Sequence, residues 1–380
     1  MSAGPLRLGI IGAGSVVDLY MSSVGAYPDV DVRAIADRHP DRAEARASEL
    51  GIRAASVDEL LASSDVEAVV NLTPPGSHFA VSKSVLAAGK HLYNEKPLAM
   101  TTAQGETILA EAAARSLVVG AAPDITMGRS FRNALRLLSD GLIGPAVFAR
   151  CEAVLAGPER WHPRPQFLYA RGGGPLFDIG PYYLTALVAA LGAVESVSAI
   201  GTKMADSRTI GSGPDAGTQF PVEVPSLTVA NLKFATGIAA QMLLTFDSAS
   251  HRGGRLEVFG VNGTLRTPDP NGADTTALFL PAGSDSWEDL GHSETTPAIG
   301  PGIANFARHI RGNEPLVVSG ERALHVLDVM CAIEESSNSG QTAAVSSSFA
   351  PTPVLPDSWD PTQSTLRSHA SITEYSQRRQ

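Results

Sequence analysis

The sequence predicts an α/β protein in which a doubly wound parallel sheet is followed by an α+β domain with a large, mainly antiparallel open sheet. Three observations favour this fold class. The first third of the chain alternates short apolar runs with helical patterns, as βαβ units do. Later segments are longer, strand-like and separated by few helices. A chain of 380 residues also exceeds the usual size of one domain.

Strand–helix alternation is clearest in residues 1–123. Five apolar runs bounded by Gly, Pro or acidic residues predict buried strands: LRLGIIG, VRAIAD, AVVNLT, KHLYNE and LVVGAA. Apolar residues at helical spacing predict helices between them, in segments such as HPDRAEARASELG and GSHFAVSKSVLAAG. We expect this region to form a dinucleotide-binding domain of the Rossmann type.

Residues 124–345 predict the second domain. A helix is expected in RSFRNALRLLSDGLIG, and strands in PAVFARCEAVLA, VESVSAIGTKMA, SLTVANLKFATGIAAQMLLTFDSA and GRLEVFGVNGTLRT, with VNGT as a hairpin turn. Residues 202–225 and 268–300 predict loops. Two late helices follow, in IANFARHIRG and GERALHVLDVMCAIEESSNSG. The polar tail, residues 346–380, is expected to be either disordered or wrapped along the surface.

Composition excludes several classes of partner. The net charge of −10 argues against nucleic acid and against an anionic membrane surface. Cys151 and Cys331 have no metal-ligand or redox spacing, so we expect neither a disulfide framework nor a metal site. No secretory signal and no apolar run near the roughly 20 residues of a membrane span are visible. A cytoplasmic location is the resulting expectation.

A glycine-rich turn follows the first predicted strand. The segment IIGAGSVVDLY offers a tight turn and close backbone approach for a pyrophosphate at a helix N-terminus. Val17 replaces the third glycine of the fingerprint, and such a turn also occurs as a plain strand–helix connection. If it binds a dinucleotide, the cofactor-binding residues are Gly12, Ala13, Gly14, Ser15 and Val16.

An acid at the end of the second strand favours the dinucleotide interpretation. Asp37 lies twenty-three residues after Gly14, near the spacing of the carboxylate that bonds the adenosine ribose. A simple strand-end acid is the alternative. Asp37 favours NAD because it would repel a 2′-phosphate, whereas Arg38 leaves NADP open.

The segment KHLYNEKPLA places Lys96 at the carboxyl end of a strand, where doubly wound sheets bind ligands. A lysine held there can donate to a substrate hydroxyl and ease its deprotonation. Glu95 and Lys96 as a solvated surface pair are the alternative.

These segments resemble the glucose–fructose oxidoreductase/inositol dehydrogenase/MocA-like family. The resemblance rests on GIIGAG, LTPPGSH, AGKHLYNEKPLA, GGG-x₃-D-x-G and the closing segment SGERALHVLDVMCAIEESSNSG, and covers residues 6–345. It implies a nicotinamide cofactor, sugar-, cyclitol- or polyol-like substrates, and a homodimer or homotetramer formed through the open sheet. It also implies that Thr73, Pro74 and His78 line the cofactor crevice, with Glu95 and Lys96 near the nicotinamide. For His78, a helix-start histidine is the alternative.

The segment GGGPLFDIGPYYLTAL departs from the family. Most members carry a histidine as proton acceptor four residues after the aspartate, whereas this chain has Tyr182. Glucose–fructose oxidoreductase itself is similar in carrying a tyrosine at that position. Asp178, Tyr182 and Thr185 share one face of a single helix by spacing. A phenol can accept the proton if a cation such as Lys96 lowers its pKa from about 10. Asp178 either orients the substrate or caps the helix, and Tyr183 is a second candidate phenol.

Two further segments offer substrate contacts. In GPERWHPRPQFLYARGGG, Trp161 presents a flat apolar face and His162 a neutral-pH donor or acceptor, although an interface role is equally consistent. Asp124 lies near the predicted domain junction.

Together the residues predict an NAD(P)-dependent oxidoreductase acting on a secondary alcohol of a sugar-like substrate. Lys96, Tyr182 and Asp178 are the predicted catalytic residues. Two alternatives stay open: an NAD-retaining lyase or glycosidase without net redox change, and a non-catalytic NAD(P)-binding sensor or partner subunit.

Overall fold

The computed structural model describes residues 4–272, 276–291 and 299–365. Within these ranges, six parallel strands form one sheet with the order β3-β2-β1-β4-β5-β6. The strands are β1 Leu6–Ile11, β2 Val30–Ala36, β3 Arg53–Ala55, β4 Ala68–Asn71, β5 His91–Asn94 and β6 Val119–Ala121. The strand order reverses beside β1, which opens a crevice at the carboxyl ends of β1 and β4. The predicted doubly wound sheet is confirmed.

The strands and the helices that connect them follow the predicted pattern, except that strand β3 was not predicted. They are α1 Val16–Val24, α2 Pro40–Leu50, α3 Val57–Ala62, α4 Pro75–Ala87 and α5 Thr102–Ala114. The apolar runs form the buried strands, because helices cover both faces of a parallel sheet. No predicted strand corresponds to β3, because its three residues are too short to show a period.

In the described part of the chain, a second sheet has nine strands in the order β16-β15-β14-β13-β7-β12-β11-β8-β17. Only β7 and β12 pair in parallel there. Two shorter strands, β9 and β10, form a separate hairpin. The strands are β7 Ala146–Val154, β8 Val194–Thr202, β9 Ser207–Thr209, β10 Gln219–Pro221, β11 Leu227–Phe234, β12 Ala239–Thr245, β13 Gly253–Gly260, β14 Gly263–Arg266, β15 Leu278–Pro281, β16 Glu288–Asp289 and β17 Ala343–Ala344.

The mainly antiparallel sheet is confirmed, but two predicted loops contain strands. The hairpin β9–β10 lies within residues 202–225, and β15 and β16 lie within residues 268–300. Short strands among Gly, Pro and Ser give too little apolar alternation to be seen in the sequence. Residues 273–275 and 292–298 of the second predicted loop lie outside the described residues. The VNGT turn joins β13 to β14 as predicted, with Gly260 opposite Gly263.

Helices cover one face of the nine-stranded sheet. They include α7 Gly174–Asp178, α8 Gly180–Leu191 and α10 Gly320–Ser339. Helix α6 Arg129–Ser139 packs on α8, whereas α9 Pro301–Ile310 packs on β2 and β6 of the first sheet. In β7, Ala149, Cys151 and Ala153 are buried under the helical layer, whereas Phe148 and Arg150 are exposed. The opposite face is therefore open in the described chain. None of the described helices is long and apolar enough to cross a membrane.

The tail wraps along the surface over residues 346–365. Trp359 is buried between the guanidinium groups of Arg132 and Arg308, which lie 5.1 Å and 5.2 Å from its ring centroid. Arg308 also donates a 2.7 Å hydrogen bond to the buried carboxylate of Asp29. Residues 366–380 lie outside the described residues. The domain boundaries at residues 123/124 and 345/346 stay predictions.

Candidate active site

The predicted glycine turn connects β1 to α1 and presents a free helix N-terminus. Gly12 has φ +109°, and a Cβ there would lie 2.6 Å from the carbonyl carbon of Leu72, so only glycine fits. A Cβ on Gly14 would meet no atom within 4 Å. Ser15 precedes α1 and makes no side-chain cap. The turn therefore fits a pyrophosphate. Gly12 lets the backbone of the turn lie close to the end of β4, and Gly14 leaves open space in front of the helix N-terminus.

Asp37 lies beside this turn. Its carboxylate accepts hydrogen bonds of 2.9 Å from the backbone N–H groups of Ala13 and His39. Arg38 is exposed, and its Nε lies 3.1 Å from Nε2 of His39. The acid is thus fixed at the carboxyl end of β2, where the adenosine ribose of a dinucleotide would lie.

His78 does not line the crevice, contrary to what the family resemblance implied. It lies in the first turn of α4 and is 0% exposed. Its Nδ1 is 2.7 Å from the carbonyl oxygen of Pro97, and its Nε2 is 2.7 Å from that of Thr73. Burial lowers the pKa of His78. The ring joins the turn after β4 to the turn after β5, whereas Thr73 and Pro74 remain at the surface of the crevice.

Glu95 and Lys96 follow β5 and are both held by hydrogen bonds. Glu95 accepts a 2.8 Å bond from the Tyr20 hydroxyl of α1 and a 2.7 Å bond from the Lys96 N–H. Lys96 Nζ donates to the Asp178 carboxylate at 3.0 Å and to the Asp178 carbonyl at 2.8 Å. Glu95 and Lys96 are both partly buried, and not the solvated surface pair that was the alternative. Burial opposes the charge of Lys96, but Asp178, together with Tyr182 and Glu95, outweighs burial and raises the pKa of Lys96.

Tyr182 lies under the Lys96 ammonium, which is 5.0 Å from the centroid of its ring. Its hydroxyl makes no hydrogen bond to any residue that the structure describes. The expectation that the pKa of Tyr182 lies below its usual value is wrong, although Lys96 by itself does lower it. Burial, together with Glu95 and Asp178, outweighs Lys96 and raises the pKa of Tyr182 to about 12. At neutral pH the side chain is a phenol.

Asp178 and Tyr182 do not share one helix. Asp178 ends α7, and α8 begins at Gly180 with Ile179 as its N-cap and Pro181 in its first turn. Asp178 is therefore not the N-cap that was considered as its alternative role. Lys96, reaching from the other sheet, holds the carboxylate and the phenol side by side.

Two sequence candidates lie in the core. Tyr183 is buried and donates a 2.7 Å hydrogen bond to Asp269, because adjacent positions on α8 point in different directions and Tyr183 does not face Lys96 as Tyr182 does. Asp124 is buried too, and accepts hydrogen bonds of 2.9 Å and 2.7 Å from the N–H groups of Gly300 and Gly302 at the start of α9. Its pKa is raised by burial to about 6. Both predicted substrate contacts are corrected to structural roles.

Trp161 and His162 belong to an aromatic row on the surface. Trp161 is 68% exposed, and the ring of His162 lies 5.5 Å from it and 5.4 Å from the ring of Phe167, which is 56% exposed. The turn carrying Phe167 packs on Gly173, one residue before α7 and its Asp178. Sequence reasoning missed Phe167, although its place in the same proline-rich segment was a usable signal. It also missed Tyr20, whose contact with Glu95 depends on the helix–sheet packing.

Comparisons with known proteins agree with this architecture. The pattern of an "Oxidoreductase family, NAD-binding Rossmann fold" matches residues 6–122, and that of a "GFO/IDH/MocA C-terminal domain" matches residues 131–266. Together with the strand order, these matches define an NAD-binding oxidoreductase. The chain belongs to the glucose–fructose oxidoreductase/inositol dehydrogenase/MocA family, which confirms the resemblance seen in the sequence.

Relatives of the chain include dehydrogenases and reductases. The 1,5-anhydro-D-fructose reductase of Ensifer adhaerens is 26% identical over 350 residues, covering 89% of this chain and 98% of its own. The myo-inositol 2-dehydrogenase of Thermotoga maritima is 23% identical over 333 residues, covering 83% and 91%. The fold is also that of levoglucosan dehydrogenase in complex with NADH and L-sorbose, with a TM-score of 0.78, 18% identity, and 90% and 100% of the chains covered.

The glycine turn generates a prediction about dinucleotide affinity. We expect Gly14→Ala to weaken NADH binding at least about tenfold, because the new methyl group occupies the open space before α1. The free energy of unfolding without cofactor should change by less than about 1 kcal/mol. Fluorescence titration with NADH and urea unfolding measure the two quantities.

Gly12→Ala is the matched control. Its methyl group would meet the Leu72 carbonyl, so the free energy of unfolding should fall by about 1–3 kcal/mol even without cofactor. Unchanged NADH affinity in Gly14→Ala would contradict the placement of the pyrophosphate.

Proposed function

We propose that this chain interconverts a secondary alcohol and a ketone on a sugar-, glycoside- or cyclitol-like substrate, with NAD as its redox partner. The observation that carries the proposal is the convergence of Lys96, Asp178 and Tyr182 at the carboxyl end of β5. They lie beside the crevice of the doubly wound sheet, where such folds bind ligands. The preference for NAD over NADP rests on Asp37, since its carboxylate repels a 2′-phosphate.

The cofactor contacts follow from the turn geometry. In this proposal Gly12 and Gly14, with the intervening and following backbone, hold the pyrophosphate, and Asp37 holds the adenosine ribose. Thr73, Pro74 and Glu95 border the nicotinamide side of the crevice. When bound there, the nicotinamide would supply the hydride chemistry of the reaction, in either direction.

Lys96 is proposed to bind the reacting oxygen. Two of its three N–H donors are used by Asp178 at 3.0 Å and 2.8 Å, which leaves one for the substrate. Because Asp178 keeps the ammonium charged, Lys96 presents a fixed positive charge where negative charge develops on the substrate oxygen. In a partly dry site such a charge stabilises the transition state more than it would in water.

Tyr182 is proposed to move the hydroxyl proton. Its phenol has a hydrogen-bonding capacity that no described residue uses, and it lies next to the Lys96 ammonium. As a neutral phenol it donates a proton to the ketone oxygen during reduction. During oxidation the same oxygen must act as a base, which requires the phenolate.

The aromatic row is the proposed wall of the substrate site. Trp161 offers the flat apolar face on which the C–H groups of a sugar ring pack, and His162 and Phe167 continue that face towards α7. The hairpin β9–β10 supports this wall. Ser212 donates a 2.7 Å hydrogen bond to the Trp161 carbonyl, and Arg208 pairs with Glu159 at 2.8 Å.

The assembly is proposed to be a homodimer or homotetramer through the open face of the nine-stranded sheet. Exposed apolar side chains on that face support this, among them Phe148, stacked on Phe259 with ring centroids 4.2 Å apart, and Ile200. The NAD-retaining lyase and the non-catalytic sensor have no specific observation in their favour.

Tyr182 and Tyr183 form a matched pair of variants. Tyr182→Phe should lower kcat by roughly 10²–10⁴-fold, because the proton donor is lost, while the NADH dissociation constant stays within about threefold. Tyr183→Phe should keep turnover and lower only the free energy of unfolding, since its hydroxyl bonds Asp269. Steady-state kinetics on sugars and cyclitols, with NADH titration, provide the measurement. Near-normal turnover in Tyr182→Phe would overturn the assignment.

The raised pKa of Tyr182 predicts opposite pH dependence in the two directions. Below about pH 12 the phenolate fraction grows tenfold per pH unit, so kcat/KM for alcohol oxidation should still rise at about pH 10. Ketone reduction, which needs the phenol, should be flat between about pH 7 and pH 10. An oxidation profile that levels off below about pH 8 would contradict the role of a phenol with this pKa.

A further inference from the structure

A cavity distinct from the candidate active site lies between α6, the first turn of α10 and residues 352–355. Two arginines line it: Arg132 of α6, which is 3% exposed, and Arg322 of α10, which is 2% exposed. Its volume is about 20 Å³. We call it the arginine cavity and define it by Thr126, Arg132, Leu135, Arg322, Thr352 and Leu355.

Arg322 has far fewer hydrogen bonds than its guanidinium can make. Its Nη1 donates to the Thr126 hydroxyl at 3.3 Å, and its other N–H groups have no partner among the described residues. It forms no ion pair with any residue of the described ranges. Asp124, the carboxylate with the largest influence on it, is already used by the N–H groups of Gly300 and Gly302.

Arg132 is also without a direct counter-ion in the described chain. Two of its nitrogens donate to the carbonyls of Pro356 and Trp359, at 2.6 Å and 2.9 Å. Its Nε is buried and has no hydrogen-bond partner among the residues that the structure describes. The carboxylates that influence it from a distance bind other groups: Asp357 binds Arg136, Asp360 binds Thr362, and Glu314 binds Asn305 and Trp359.

Two buried cations that share one cavity are costly unless an anion or water satisfies them. Burial lowers the pKa of Arg322 to about 10 and also lowers that of Arg132, as expected for cations without an adjacent carboxylate. The cavity has room for one water-sized particle and hardly more. Phosphate, sulfate and carboxylate ligands are too large for it.

We propose that the arginine cavity binds one small monovalent anion of the size of chloride. Arg322 and the Arg132 Nε supply the positive charge and N–H donors, and the hydroxyls of Thr126 and Thr352 complete the shell. Because Thr352 and Leu355 belong to the tail segment, the bound anion holds that segment against α6 and α10. The site takes no part in the redox reaction. A halide ion bound there should stabilise the folded protein.

The test compares sodium chloride and sodium bromide with sodium gluconate at the same ionic strength. For the full-length protein, halides should raise the midpoint of thermal unfolding along a saturable curve, because a ligand that binds only the folded state stabilises it. Arg322→Gln should weaken halide affinity at least about tenfold, the effect of losing a charge-assisted hydrogen bond. Arg255→Gln, at an exposed arginine on β13, should keep the wild-type halide curve. Equal midpoints in halide and gluconate, or an unchanged halide curve in Arg322→Gln, would overturn the proposal.

A second measurement, on the wild-type protein, tests the proposal even if Arg322→Gln fails to fold. Crystals grown with sodium bromide should show an anomalous bromide peak within hydrogen-bond distance of Arg322. An ordered water at that position, without anomalous signal, would overturn the proposal.

Discussion

The ion pair between Lys96 and Asp178 joins the carboxyl end of β5 to the helices that cover the nine-stranded sheet. Both groups are partly buried, and the Asp178 carboxylate offsets the cost that burial places on the Lys96 ammonium. The pair links the two sheets at the crevice, and the same ammonium lies over the Tyr182 ring. The function proposed for the crevice therefore depends on one contact between residues eighty-two positions apart.

Around this pair, several polar residues hold the turn that carries Lys96 in position. Tyr20 and the Lys96 N–H hold the Glu95 carboxylate, and His78 bridges the carbonyls of Thr73 and Pro97. Buried polar groups with satisfied hydrogen bonds make such a turn rigid. Few residues thus form the surface of the crevice, and the hydrogen-bonded residues behind them hold those surface residues in position.

The sequence was sufficient for features that depend on local pattern and spacing. Apolar runs and helical periods predicted both sheets, and the glycine turn, Asp37 and Lys96 were predicted at crevice positions that the fold provides. Features that depend on tertiary packing could not be predicted in this way. The break at Ile179 separates Asp178 from Tyr182, burial rather than Lys96 dominates the pKa of Tyr182, and Asp124 is taken up by the start of α9. Adjacent phenols at 182 and 183 look equivalent in the sequence, and only the orientation of α8 distinguishes them.

The most direct test of the account is a double-mutant cycle on Lys96 and Asp178. If Asp178 acts by holding Lys96, Lys96→Met should lower kcat/KM by roughly 10²–10⁴-fold, and adding Asp178→Asn should lower it little further. NADH affinity should stay near that of the wild type in all three variants. Fully additive losses would show that the two residues act independently and would contradict the central role of their ion pair.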